Sequence, residues 1–512
     1  MIETLIAAIT EWSMLLAPEC ILLDNINLTQ YKLSSLGMQY TTHCVLSPSS
    51  AHELAACVQI ANKHKIMVFP ISRGHNHGYN SSAPMTDDTV VLDLRLMNKI
   101  IEYNEEFGFV IIEPGVTFID LYKFLFEHGC KHIVSGFTGS PHASVMGNAL
   151  DKGIGRGQYG NRQLSSEVKE IIVANGDLVD LKEHNGFEDA TANLQYSTVG
   201  VDLGSLFYQS NLGVVTKIIV HLEQIPEYLL VLSLSVDSDP KMLQLITKFK
   251  NLNSMRVIEP VYAIYNDIKM LVSSGVTKNA QPAVLPFDKW NSSLAIHCCC
   301  IEELELKQKL ITQQLTEIDA KFSFSQLNKA AAKDLIQKSL MPDFEPIGDE
   351  LKFLFNLGYT NNSDQKSLYW DSKTLFSQRT NPIDDGCGLI FFVPKIPFNT
   401  LHLQHALTLL ARISAIHEIR TPVTIQFKTK QLICLVLPIL FDLTDASAKT
   451  KAQNYYNELF QSFADNGYMP SRVNSISMPI MFNAQNKFND LHRRLKAAFD
   501  QNDIISPKRY SD

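Results

Sequence analysis

Between residues 72 and 79 the chain reads S-R-G-H-N-H-G-Y: two glycines, two histidines, an arginine and two short polar side chains ahead of a tyrosine. Gly74 and Gly78 permit positive φ and close backbone approach, so successive N–H groups can turn inward on an anion, while Ser72 and Asn76 add side-chain donors. That is the chemistry of a phosphate cradle. Alone it is a weak signal, because Gly/Asn/Ser clusters between strands are commonly ordinary turns. Residues 136–155, G-F-T-G-S-P-H-A-S-V-M-G-N-A-L-D-K-G-I-G, strengthen it, being a loop too long and too small-residued to be core. Small side chains let a flat aromatic ring or a pyrophosphate lie against the backbone, and Ser140, Ser144 and Asn148 offer hydrogen bonds to it. Two cradles in one region point to a large cofactor.

The elements that must position these loops follow from periodicity. Ser50 is an N-cap for an amphipathic helix to His64 that carries Leu54, Val58, Ile60 and Ala61, and a strand-like run from Ile66 to Phe69 leads into the first loop. Thr89 to Leu94 reads as a buried strand, and Phe109 to Val116 as another, closed by Pro114-Gly115. Thr117 to Glu127 is a helix with Phe118, Leu121, Tyr122, Leu125 and Phe126 on one face. Asn175-Gly176 predicts a primed hairpin turn within Glu170 to Val179, and Leu206 to Lys217 a polar turn feeding a β-branched strand.

From Pro226 the composition shifts. Leu229 to Val236, Cys387 to Pro394 and Gln431 to Leu440 read as strands; Lys241 to Lys250, Glu302 to Phe322, Leu401 to His417 and Asn489 to Asp500 read as amphipathic helices; Asn356 to Asp371 reads as loop. The pattern predicts an α+β protein, with a first domain over residues 1–225 (core from about 42), a second over 226–485 built on an antiparallel sheet under helices, and 486–512 returning to the first.

At 512 residues, 45% of them hydrophobic, the chain can bury more than one core. Its net charge of -8, with no basic run interleaved with aromatics, argues against nucleic acid as a partner. Nine cysteines show no zinc spacing and read as reduced thiols, with Cys298-Cys299-Cys300 as three buried residues of one strand; no metal is expected. The apolar N-terminus is interrupted by Glu3 and Glu11 and lacks a basic lead-in, so a short helix is expected rather than a signal peptide. A soluble, cytoplasmic protein without membrane contact is expected. A homodimer remains open.

Read together and in order, these blocks resemble the flavoprotein family of vanillyl-alcohol oxidase and 4-cresol dehydrogenase, which share the PCMH-type FAD-binding fold. The motif S-R-G-H-N-H-G-Y-N-S-S-A-P resembles the family's diphosphate loop, and V-V-L-D-L-x-x-M-N-K-I and V-I-I-E-P-G-V-T-F-x-D-L the elements after it. A-S-V-M-G-N-A-L-D-K-G-I-G, Y-Q-S-N-L-G-V-V-T-K and D-Q-N-D-I-I-S-P-K-R-Y are similar to later blocks. The resemblance implies that Ser72, Arg73, Gly74, His75, Asn76 and His77 hold the pyrophosphate of FAD. It implies further that Gly139, Ser140, Ala143, Ser144, Asn148, Gly153 and Gly155 border the isoalloxazine and ribityl, that Gly213, Val214 and Val215 lie on the adenine side, and that Arg509 closes the site. The second domain would be a substrate cap.

Departures from the family matter as much. Where it carries a flavin-linked histidine or tyrosine, near Asp385 to Pro394, this chain has neither, and Cys387 reads as packing. Noncovalent FAD is expected, with His75 as the candidate tether, since berberine-bridge-type flavoproteins place a linked histidine there. Phenol oxidases of the family hold an ionised phenol with two tyrosines and an arginine. Tyr79 and Arg472 match one of each, but Ser471 stands where the second tyrosine would be, and T-G-S-P-H-A-S lacks the family's aspartate. His142 is either a base in that place or a hydrogen-bonded loop histidine. The implied function is FAD-dependent removal of hydride from an alcohol, amine or benzylic carbon of a small organic substrate to flavin N5, with reoxidation by oxygen or an electron carrier. The alternative is a flavin-binding protein whose decayed site serves a binding or regulatory role.

Overall fold

The computed structural model describes residues 2–137, 139–183, 190–194, 200–280, 282, 284–483 and 486–511. Near the N-terminus a four-stranded sheet runs in the order Ile21–Leu22, Val45–Leu46, Val90–Asp93, Val68–Ile71. Its last three strands are parallel neighbours, which requires crossovers. One is the helix Ala51–His64, whose N-cap Ser50 accepts the Glu53 N–H as its sequence predicts. The C-terminal tail completes this sheet: Ile505 forms a parallel bridge to Val68. Trp12 of the N-terminal helix Ile2–Leu15 packs into the same core and donates its indole N–H to Cys57 O.

A five-stranded antiparallel sheet follows, in the order Ile100–Asn104, Phe109–Ile112, Val214–His221, Ser166–Ile172, Leu178–Asp180. The helix Phe118–Glu127 packs on it, started by a reciprocal capping box between Thr117 and Asp120. The third sheet is antiparallel throughout. It orders Lys321–Asn328, Tyr228–Val236, Trp290–Cys298, Ala263–Asn266, Thr424–Phe427, Leu432–Asp442 and Cys387–Phe392, with Lys395–Pro397 also on Leu432–Asp442. Helices Asp239–Ser254, Ile301–Thr316, Thr400–Ile416 and Ala446–Asp465 bury Phe249, Leu315, Leu403 and Tyr455 into one core with its strands. The α+β reading and the helix-covered antiparallel sheet are what the chain forms.

Four local readings need correction. Residues 136–155 are not all loop: Val145–Leu150 is a short helix whose Val145, Met146 and Ala149 are buried. It escapes a periodicity search because it is under two turns long; Thr138 in this stretch lies outside the described residues. At Asn175-Gly176 only Gly176 has positive φ, +89°, and its N–H bonds Val173 O. The turn is therefore an ordinary one followed by a left-handed glycine rather than a primed pair. Of the three consecutive cysteines only Cys298 is a buried strand residue; Cys299 is exposed and Cys300 begins the next helix. The helix expected to Phe322 ends at Thr316, and Phe322 lies in the edge strand Lys321–Asn328. All nine cysteines are free, and no described helix is long and apolar enough to cross a membrane.

Candidate functional site

The strand Val68–Ile71 ends at Ser72, and beyond it Gly74 and Gly78 take φ of +71° and +81°. Both are also sterically closed to a side chain: a Cβ would lie 2.9 Å from Ser82 Cβ at Gly74 and 2.3 Å from the Phe391 ring at Gly78. The turn is pinned from behind, with Asn76 O accepting the N–H groups of Tyr79, Asn80 and Ser81, and Gly78 N–H donating to Ser35 Oγ at 2.7 Å. Among the described residues, the N–H groups of Arg73 through His77 meet no protein acceptor. These residues are exposed or partly exposed, and a consecutive row of free N–H groups of this kind suits an anion.

The second loop faces it more rigidly than its composition suggests. Ser144 Oγ accepts Gly147 N–H at 2.9 Å and donates to Pro114 O at 2.6 Å, so this hydroxyl is engaged in capping. Ser140 Oγ accepts His142 N–H, and Ala143 is buried in the core. Asn148 Oδ1 is different, being buried with no hydrogen-bond partner. A Cβ on Gly153 would fall 2.4 Å from the Asn148 amide, and one on Gly155 2.6 Å from Gly136 O. Gly153→Ala should therefore displace Asn148 and weaken retention of a bound dinucleotide about tenfold, measured by equilibrium dialysis; unchanged affinity would remove Asn148 from the site.

Val214 and Val215 fill two different cores on opposite faces of their strand, and Gly213 lies against Ile172 O.

At the centre is a residue the sequence reading passed over. Asp151 directly follows the short helix and is buried, with four side chains converging on its carboxylate. Oδ2 accepts Arg472 Nη2 and Asn76 Nδ2, each at 2.7 Å; Oδ1 accepts Tyr510 OH at 2.9 Å and Arg509 Nη2 at 3.2 Å. Burial alone raises its pKa, but the two guanidiniums and the donated hydrogen bonds outweigh it and hold the carboxyl well below its ordinary value. The chain thus has an acid at its centre, although T-G-S-P-H-A-S has none. Arg472 also donates to Asn76 Oδ1 at 3.1 Å and lies 3.8 Å from the Tyr79 ring centroid, while its Nε is buried without a partner. Tyr79 in turn stacks on Phe391 at 5.6 Å. Burial raises the Tyr79 phenol and Arg472 opposes this, with a net upward shift.

His75 and His77 meet edge to face at 5.9 Å. His75 is exposed and His77 partly so. Burial, with the neighbouring His77, Arg73, His142 and Arg95, lowers His75 to about 3; burial lowers His77 to about 4. Both are neutral at pH 7. His142 is exposed and groups with His75, not with the network of Tyr79, Arg472 and Asp151. The structure therefore unites Tyr79, Asn76, Arg472 and Arg509 and leaves His142 apart. Asp151, Tyr510 and Phe391 were missed. A signal for Asp151 was present, an acid inside a loop already singled out, but its partners lie up to 359 residues away.

The nest, the orphaned Asn148 acceptor and the glycine-closed walls fit a phosphate-bearing, flat-ringed cofactor. Residues 42–182 match the family model described as FAD binding domain. The chain is 27% identical over 492 residues to 1'-carboxy-chondrochloren decarboxylase of Chondromyces crocatus, covering 92% of this chain and 91% of that one. It is 22% identical to the 4-cresol dehydrogenase [hydroxylating] flavoprotein subunit of Pseudomonas putida, covering 98% and 94%. The structure of 4-ethylphenol oxidase from Gulosibacter chungangensis superposes with a TM-score of 0.87 at 20% identity, over 99% of this chain and 97% of that one. The match to the FAD binding domain model and the superposition on 4-ethylphenol oxidase mark the first part of the chain as FAD-binding and give the whole the PCMH-type fold. Of these relatives one is named a dehydrogenase and one an oxidase, so the chain is similar over its length to FAD-linked oxidoreductases.

Proposed function

We propose that this chain oxidises a small organic substrate by removing hydride from an alcohol, amine or benzylic carbon, the substrate's oxygen being held by Arg472 and Tyr79. The observation that carries the reading is Arg472: locked to Asp151, set against Tyr79 and left with one buried donor unspent. FAD, when bound, would supply the hydride acceptor, reoxidised by oxygen or an electron carrier. The N–H groups of Arg73 to His77 would hold its pyrophosphate, and Asn148 and the backbone around Gly153 and Gly155 would border its ring system. Arg472 favours the ionised form of the substrate hydroxyl, whose proton goes to water, and so holds the electron-rich oxygen from which hydride departure is driven; a fixed guanidinium does this without reorganisation. Asp151 orients Arg472, and Phe391 walls the tyrosine from solvent. A decayed binding protein is the poorer reading, because an intact buried Arg–Asp–Arg network is costly to keep without use.

The test is anaerobic titration of the purified yellow holoprotein with 4-alkylphenols, benzylic alcohols and aryl amines. Bleaching by a member of the panel and recovery of colour in air support the reading; a flavin that none of them reduces refutes it.

The flavin is proposed to be noncovalent. Cys387 is buried in a strand, and burial pushes its thiol up to about 12, so it has little thiolate to offer. Acid precipitation is expected to release the flavin into the supernatant. Fluorescence that stays in the pellet, and is lost in His75→Ala, would identify His75 as a tether instead.

A further inference from the structure

Three lysines from separate parts of the chain come within electrostatic reach of one another, and Lys428 among them within reach of Arg472. Lys395 opens the strand Lys395–Pro397 and pairs in register with Cys434. Its N–H donates to Met469 O, and Ser471 N–H to Val393 O, so this strand lies directly against the segment that carries Arg472. Lys428 follows the strand Thr424–Phe427, its N–H bonded to Leu432 O, where the hairpin onto Leu432–Asp442 turns. Lys152 is the neighbour of Asp151, held at a positive φ of +54°.

None of the three amines donates to a carboxylate or a carbonyl among the described residues. The chain has 53 acidic against 45 basic residues, so partners were available. Lys152 and Lys428 are only partly exposed, and Cys434 beneath them is fully buried. Asp151, the acid next in sequence, is already saturated by Arg472 and Arg509. A half-buried ammonium with no counter-ion costs free energy that a folded chain ordinarily relieves by pairing. Three together repel one another as well. Burial, reinforced by Lys395 and by Arg472 or its neighbour Lys428, draws both Lys152 and Lys428 below the usual lysine value. The missing counter-ion belongs to a ligand.

We propose that Lys152, Lys395 and Lys428 form a second anion subsite of the substrate cleft and that the substrate carries a carboxylate seated there while another of its oxygens meets Arg472. This rests on the reading of Arg472 and Tyr79 as the substrate anchor. It adds that the preferred substrate is an acid and that the lysines select it over its neutral analogue. FAD phosphates are excluded as the occupant by the bare N–H row at Arg73 to His77, which takes them elsewhere.

The test uses the FAD-loaded protein and two probes of one shape, 3-(4-hydroxyphenyl)propanoate and its primary amide, each titrated while the flavin absorption spectrum is followed. The acid is expected to bind about tenfold or more tightly than the amide. In Lys395→Gln/Lys428→Gln that preference should collapse to about twofold while the amide keeps its Kd. Lys395→Gln alone, at an exposed position whose loss leaves the core untouched, should lower it partway. Equal binding of acid and amide by the parent protein overturns the subsite. So does a preference that survives in the double variant with its FAD retained. A flavin spectrum that answers to neither probe overturns the Arg472 anchor itself, and the subsite with it.

Discussion

Asp151→Asn is expected to destabilise the protein by about 3–5 kcal/mol and to cut turnover together with it. The amide keeps the shape of the carboxylate but not its charge, so Arg472 and Arg509 would face each other across a buried site with no counter-ion. Tyr510 OH and Asn76 Nδ2 would also compete for a single remaining oxygen. The effect exceeds that of a surface pair because the Asp151 side chain is only 7% exposed and the guanidiniums 16% and 24%. Its pH dependence has a definite sign. Because the folded carboxyl lies below its unfolded value, the stabilisation is complete above about pH 4 and is lost as pH falls further. Urea unfolding at pH 7 should show the full gap between parent and variant, and the gap should narrow at pH 3. Coincident midpoints at pH 7 would mean that Asp151 is not the centre of the network.

What could be read from the sequence was whatever is local. Ser50 and Thr117 cap their helices as their positions predict, and Gly74 and Gly78 take the positive φ that the first loop demanded. The pairing that makes the site is not local. Arg472 reaches Asp151 across 321 residues and Arg509 does so across 358, distances over which no spacing rule operates. Asp151 was therefore a carboxylate among many until the fold put two guanidiniums on it. Ser144 shows the converse: its hydroxyl suited a ligand in the sequence, yet the helix Val145–Leu150 uses it as a cap. Val214 and Val215, which the resemblance puts on the adenine side, send their side chains into opposite cores by strand alternation. The lysines beside Arg472 gave no signal, since each sits alone in its own segment.

Arg472→Ala should leave a folded, FAD-loaded protein that has lost about a hundredfold or more of its rate of flavin reduction. Folding survives because Arg509 and Tyr510 still meet Asp151 Oδ1, so the carboxylate keeps one cation and is not stranded. FAD survives because the donors proposed for its pyrophosphate are backbone groups of the first loop, which Gly78, Tyr79 and Ser35 pin without help from Arg472. What disappears is the one charge aimed past Asp151 with a donor to spare. Arg472→Lys separates charge from geometry. An ammonium restores the positive charge but cannot bond Asp151 and Asn76 while also presenting a third donor in a fixed plane, so it should recover little of the rate. The measurement is stopped-flow reduction of the flavin by the best substrate of the panel, without oxygen, alongside FAD content and unfolding midpoint. If Arg472→Ala bleaches as fast as the parent, Arg472 does not hold the substrate; if Arg472→Lys restores the full rate, charge alone is what it supplies and the forked contact to Asp151 is only structural.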